Sequence, residues 1–351
     1  MHELMHGQEQ VQQDRTHTTE DVRDVIRIPG PVRRNPLLDA AARHNRQWLR
    51  AHGMLREERA QRLYDRWSIP ELAATSFPEA DLADLCLAVD QCAFYFLFDD
   101  QFDGERGARP AEVARICAPL ITTLHTGRAP ENPSPVESAF ADLWRRGSQG
   151  MSARWRARAA FHWEGYFMAH PSEALGRALP DSRPSRAAYL VLRRGASGVD
   201  TVLDLVERIL GEVPASAYHN PQLTLMRQLA GDAPAVNNDV YSYAKEAPRG
   251  DVYNLAVITQ RDRGVSREGA FALVRDEAQG MVDEFFALAE QIPGTALGLG
   301  CTSEEGAAVL RYVDGMGDWM RGYFSWEAST LRYRPEGTLP IDRPNYLEEL
   351  L

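Results

Sequence analysis

The sequence predicts an all-α protein folded as one helical domain. From Pro36 onward, apolar residues recur at spacings of three and four, the period of a helix with one buried face. Pro, Gly, Asn and Asp fall at the ends of these stretches, where helices start and stop. No stretch shows the alternating, β-branched-rich pattern that a sheet requires. With 351 residues, 44% hydrophobic and 25% charged, the chain has the composition of a soluble globular protein.

Taken in order, residues 1–25 are polar, carry His2, His6 and His17, and show no hydrophobic period, so they are expected to be disordered. Ile26 to Pro31 is an extended lead-in, because each proline pushes its predecessor out of the helical region. Helices are expected at Leu37–Ala51, Glu57–Trp67, Pro78–Phe102, Ala111–Thr126, Val136–Gly147 and Ala153–Ala169. They continue at Ala187–Arg194, Val199–Leu210, Gln222–Leu229, Pro234–Glu246, Val252–Arg261, Ser266–Gln291 and Ser303–Arg332. Thr302 followed by Glu305 is a capping box that opens the last of these. The proline-rich links at 127–135 and 171–184 read as loops within one domain, and so does the glycine-rich run Gly294–Gly300, which lacks the strand of a dinucleotide fingerprint. The domain spans 26–334, and 335–351 is a tail or lid segment with three prolines.

Composition narrows the function. A net charge of -11 argues against nucleic acid or an anionic membrane as partner, and an anionic substrate would need divalent cations to mediate its binding. No stretch reaches the roughly 18 apolar residues of a membrane span, and the N-terminus has no signal-peptide core, so a cytoplasmic location is expected. Cys86, Cys92, Cys117 and Cys301 lack zinc-site spacing; Cys86 and Cys92 fall in an apolar helix and read as buried thiols.

Two polar helix faces carry chemistry. Asn238, Ser242 and Glu246 stand at i, i+4 and i+8, lining up an amide oxygen, a hydroxyl and a carboxylate, which are hard ligands suited to Mg²⁺. Beside them is Lys245, the only lysine among 39 basic residues. The second face is Asp99 with Asp103 at i+4 and Asp100 about 100° round. Like charges at this spacing repel unless a cation lies between them. Most such acidic pairs are solvated surface, but these abut the aromatic run Phe94 to Phe98, with Cys92, Tyr95 and Phe96 one to two turns back. His162 and Trp163 lie on a helix near this region, and a satisfied core histidine is the simpler reading there.

Together, Asp99-Asp100-x-x-Asp103 followed by Asn238-Asp-x-x-Ser242-x-x-Lys245-Glu246 resembles the aspartate-rich motif and the Asn/Ser/Glu triad of bacterial class I terpene synthases. The run Arg193-Arg194-Gly195-Ala196-Ser197-Gly198 is similar to the family's diphosphate sensor, linker and helix-breaking effector. On that pattern they are Arg194, Ser197 and Gly198, with Arg193 the alternative sensor. Trp319-x-x-Gly322-x-x-x-Trp326 and Arg332-Tyr333 resemble the family's terminal segment, with Tyr323 where the family often has Asn.

The resemblance covers 26–334. It implies a helical bundle of the class I terpenoid synthase type around a central cavity, and three Mg²⁺ ions. The metal would be held by Asp99, Asp100, Asp103, Asn238, Ser242 and Glu246. Arg194, Lys245, Arg332 and Tyr333 would bind a prenyl diphosphate, with Cys92, Tyr95, Phe96 and Trp326 around its tail. Farnesyl diphosphate is the expected substrate of a monomer or homodimer, and geranylgeranyl diphosphate the alternative. A chain-elongating prenyltransferase would need a second aspartate-rich motif where this chain has Asn238 to Glu246. A non-catalytic helical binding protein would not explain the ligand spacing.

Overall fold

The computed structural model describes residues 26–179, 183–247, 251–334 and 349–351. Among them there is no strand. The helices are α1 (Leu38–Ala51), α2 (Glu58–Trp67), α3 (Ile69–Ser76), α4 (Leu82–Asp99), α5 (Pro110–Thr126), α6 (Pro135–Ser148) and α7 (Ala153–Ala178). They are followed by α8 (Arg186–Ala196), α9 (Val199–Leu210), the single turn α10 (Ala215–Tyr218), α11 (Pro221–Glu246), α12 (Leu255–Arg263), α13 (Arg267–Ala289), α14 (Ile292–Gly298) and α15 (Ser303–Ser329). Five of these positions matter most. Helices α4, α7, α11 and α15, with the α8–α9 break, surround one cavity.

Local chemistry explains most of the ends. Asp81 caps α4 by accepting the amide N–H of Asp84, which starts that helix at Leu82 rather than at Pro78. Thr302 and Glu305 form the expected capping box at α15. The α-helix of α4 stops at Asp99 and continues as a 3-10 turn over Asp100–Phe102, so the aspartates sit at a helix terminus rather than along one long helix.

The differences from the periodicity reading have physical causes. Helix α3 was not expected because it has eight residues, six of them buried, and so shows no polar face to mark a period. Helix α14 covers part of the glycine-rich run read as a loop. Helix α7 runs on through Pro171 to Ala178, well past Ala169, supported by its packing along α5 and α8. Helix α11 is continuous through Pro234, where two helices were expected. Proline there deprives the Ala230 carbonyl of its helical donor, and the indole N–H of Trp319 donates to that oxygen at 3.2 Å. A tertiary bond therefore replaces the missing local one.

The disorder expected for 1–25 lies outside the described residues, and so does 335–348 of the tail. The last three residues are seated: Leu350 is buried, its N–H donates to Gln101 Oε1 at 3.2 Å, and its carbonyl accepts from Val136 N at 3.1 Å. No helix among the described residues is long and apolar enough to cross a membrane. Cys86 and Cys92 are buried free thiols, and His162 is a satisfied histidine bonded through Nδ1 to Asp204 at 2.8 Å.

Helix α15 lies against α3 where Gly322 meets the backbone of Thr75 and Ser76; a β-carbon at 322 would fall 2.5 Å from Ser76 N. Gly322→Ala should therefore overpack this crossing and destabilise the protein by about 2–3 kcal/mol. Chemical denaturation measures this, and an unchanged midpoint would refute the close approach.

Candidate active site

The cavity holds about 1170 Å³ of space when its open mouth is included. Both sequence motifs open into it. Asp99 and Asp103 face it from the end of α4, and Asn238, Ser242, Lys245 and Glu246 face it from α11. Arg332 and Tyr333 reach it from the segment after α15.

Asp100 is different. Its carboxylate is turned onto the cations, accepting both prongs of Arg332 at 2.7 and 3.1 Å and Lys245 Nζ at 3.2 Å. Lys245 also pairs with Asp103 at 2.5 Å. Burial works against an ionised Asp100, but Arg332 and Lys245 outweigh it and hold its pKa below the usual range. The other acids are unbalanced. Asp99 looks into the cavity rather than bulk water, and burial, then the neighbouring Asp103, push its pKa up to about 6. Burial, then Asp251 and Asp239, push Glu246 up to about 7. His170 beside Asp99 and Arg193 near Glu246 offset this only in part, and a bound cation would relieve the rest.

On α11, Asn238 is held at both ends of its amide. Its Nδ2 donates to Glu327 Oε1 at 2.9 Å and to the Tyr333 hydroxyl at 2.8 Å, and its Oδ1 accepts from Arg193 Nη2 at 3.0 Å. Asn254 braces the rest of this face. Its Oδ1 caps α12, while Nδ2 donates to the Asp239 carbonyl at 2.7 Å and to Glu246 Oε2 at 2.9 Å. Asp239, next along the helix, accepts the Tyr189 hydroxyl and the Leu255 N–H and pairs with Arg193 at 3.3 Å. An amide, a hydroxyl and carboxylates on two opposed faces fit a divalent cation. On α7, His170 and Glu173 also approach Asp99, with ligand atoms of all three within 4.8 Å of one another.

The arginine pair corrects the sequence assignment. Arg194 turns away from the cavity and makes a forked pair with Asp232, Nε to Oδ1 at 2.8 Å and Nη2 to Oδ2 at 2.6 Å. Arg193 is the one that lines the cavity, and its buried Nε has no hydrogen-bond partner among the described residues. Ser197 lines the cavity too, bonded back to the Arg194 carbonyl at 3.1 Å. Gly198 breaks the helix with φ +66°, and a β-carbon there would lie 3.1 Å from the Tyr95 ring.

The apolar wall also sorts the expected residues. Cys92, Tyr95 and Phe96 line the cavity, with Trp319 and Tyr323 from α15. Tyr95 is turned aside, stacked on Trp163 with its hydroxyl against Thr201 and Gln91. Trp326 does not reach the surface of the cavity. It is buried behind Phe96, ring centroids 5.3 Å apart, with its N–H on the Trp67 carbonyl at 2.7 Å. The Arg332 guanidinium lies over the Phe96 ring at 4.6 Å.

Comparison with known proteins follows this geometry. A model of terpene synthase family 2, C-terminal metal binding, matches residues 90–284. Pentalenene synthase of Streptomyces avermitilis is 35% identical over 325 residues, 92% of this chain and 96% of its own. The chain belongs to the terpene synthase family. (-)-beta-Caryophyllene synthase of Saccharothrix espanaensis, a (2E,6E)-farnesyl diphosphate cyclising enzyme, is 37% identical over 328 residues, 92% of each chain. The crystal structure of germacradien-4-ol synthase from Streptomyces citricolor superposes with a TM-score of 0.80 at 42% identity, covering 88% of this chain and 99% of that one. This terpene synthase is thus an enzyme of the all-α terpene synthase fold, in a family that uses divalent metal.

Sequence reasoning missed Asn254, Asp239 and Glu327. An Asn directly before an apolar helix start was the available sign for Asn254. A lone acid beside Trp326 in a buried stretch was the sign for Glu327. Asn254→Ala removes the brace on Glu246, so the divalent-metal concentration for half-maximal turnover should rise by about 10- to 100-fold. A metal titration of turnover tests this, and an unchanged requirement would show that Asn254 only caps α12.

Proposed function

We propose that this terpene synthase cyclises farnesyl diphosphate with three Mg²⁺ ions, releasing diphosphate and a cyclic terpene hydrocarbon or alcohol. The observation that carries the reading is the pair of opposed oxygen-ligand faces, Asp99 with Asp103 and Asn238 with Ser242 and Glu246, over one aromatic-walled cavity. The caryophyllene synthase relative cyclises farnesyl diphosphate, which supports a C15 substrate.

Asp99, Asp103, Asn238, Ser242 and Glu246 would hold the metal, with Asp100 orienting the cations beside it. Bound Mg²⁺ supplies positive charge against the negative charge that grows on the leaving group. Arg193, Lys245, Arg332 and Tyr333 supply hydrogen-bond donors to the diphosphate oxygens. Forked guanidinium contacts fix its orientation, and lysine adds a compact charge. The orphaned Nε of Arg193 is a donor facing such an anion without a protein acceptor.

Ionisation breaks the C1–O bond, and its electron pair stays on the diphosphate. The allylic cation left behind is attacked by a π-bond of its own chain, and the final cation loses a proton or takes up water. Phe96 presents its ring to this cation, and burial of the wall keeps water from quenching it early. Ser197 and Gly198 form the helix break beside the reacting end, as linker and effector.

Incubation with C10, C15 and C20 diphosphates and Mg²⁺, followed by gas chromatography and mass spectrometry, tests the substrate. The C15 diphosphate should give cyclic product with the highest kcat/KM, and a cyclic product only from the C20 diphosphate would overturn the assignment. Glu246→Ala and Asn238→Ala should each cut diphosphate release by at least about 10²-fold, the size of effect expected when stabilisation of transition-state charge is lost. Intact turnover in either would remove the α11 face from the metal site. Phe96→Ala should leave diphosphate release within about 30-fold, since a cation–π contact contributes on the order of 1–2 kcal/mol, while the products shift toward acyclic or less cyclised terpenes. An unchanged product mixture would exclude Phe96 from the cavity wall.

A further inference from the structure

Arg193 and Arg194 are neighbours on α8, about 100° apart round the helix axis, so one rotation of α8 decides which of them reaches the cavity. The structure contains a device that fixes this rotation. On the outer side of the break, Arg194 makes its forked pair with Asp232, and on the inner side Arg193 meets Asn238 Oδ1 at 3.0 Å, the Ala235 carbonyl at 3.3 Å and Asp239 Oδ1 at 3.3 Å. All four partners lie on α11, with Asp232 and Asn238 roughly 9 Å apart along its axis. A forked contact fixes direction as well as distance, which a single hydrogen bond does not.

The break between these grips is thin. Ser197 and Val199 border both the main cavity and an outer groove that Arg194 and Asp232 also line. Gly231, directly before Asp232, lets Val199 close onto α11, since a β-carbon there would lie 3.1 Å from Val199 Cγ1. Asp232 is buried to 8% exposure, whereas Arg194 remains 40% exposed. With Asp232 buried and the contact forked, the pair holds the direction of the Arg194 side chain more firmly than an exposed pair would.

We propose that Arg194 and Asp232 are positioning residues: their ion pair is an outer latch that sets the rotation of α8, points Arg193 into the cavity, and couples the α8–α9 break to the metal-binding face of α11. The inference rests on reading Arg193 as a diphosphate contact. With the latch intact, Arg193, Ser197 and Gly198 hold one register relative to Asn238. Without it, α8 rotates more freely, and the donor no longer meets the leaving group at a fixed place.

The test uses the full chain with Mg²⁺ and farnesyl diphosphate, comparing Arg194→Met, Asp232→Asn, Arg194→Lys and the reversed pair Arg194→Asp with Asp232→Arg. Arg194→Met and Asp232→Asn should lower kcat about 10- to 100-fold, the cost of a small misplacement, with KM within about threefold. Acyclic products should rise, and amide hydrogen exchange should quicken across 193–200, with the melting midpoint nearly unchanged. Arg194→Lys should keep part of the activity and the reversed pair most of it. The latch is overturned if both single variants keep kcat, products and exchange, or if their losses follow the melting midpoint and the reversed pair restores nothing. Arg193→Met separates the two readings. If that variant turns over normally, Arg193 is not the diphosphate contact, whereas the exchange measurement still reports whether Arg194 and Asp232 hold the break.

Discussion

The site depends on keeping several carboxylates together around one cavity. Asp99, Asp103, Glu173, Glu246 and Asp251 all line it, and like charges in a low-dielectric space repel strongly. The chain balances only part of this. Arg332 and Lys245 hold Asp100, Lys245 holds Asp103, and Arg177 pairs with Asp251 at 3.1 Å. Asp99 and Glu246 are left with raised pKa values on opposed walls. A cavity balanced from within would have no use for added cations. Leaving part of the deficit at Asp99 and Glu246 makes cation binding at these two points favourable.

What the sequence made legible is what a helix encodes locally. Asn238, Ser242 and Glu246 share a face because 3.6 residues make a turn, whatever surrounds them, and the capping box at Thr302 is equally local. Arg193 and Arg194 show the opposite case. Nothing within α8 tells which faces inward; the answer lies in Asp232 and Asn238, some 40 residues on, which fix the helix from the two sides. The prolines mislead for the same reason. Pro234 reads as a helix boundary until the indole of Trp319 takes over the carbonyl it frees. Trp326 was placed at the cavity surface on type and position, and only packing puts Phe96 in front of it.

Most polar ends of the aromatic side chains in and behind the wall are tied to protein. The Tyr95 hydroxyl is tied to Gln91 and Thr201, the Trp326 N–H to the Trp67 carbonyl, and the Trp319 N–H to the Ala230 carbonyl. Groups so satisfied do not compete as nucleophiles for a cation in the cavity, whereas the buried hydroxyl of Tyr166, which also lines it, has no hydrogen-bond partner among the described residues. The bond from Trp319 goes further, because its acceptor exists only through Pro234, itself a cavity residue. The irregularity in α11 and the orientation of a wall tryptophan are therefore one feature. The contour of the cavity is set in part by bonds behind its wall, where Trp67 fixes the indole packed on Phe96 and Thr201 fixes the Tyr95 ring.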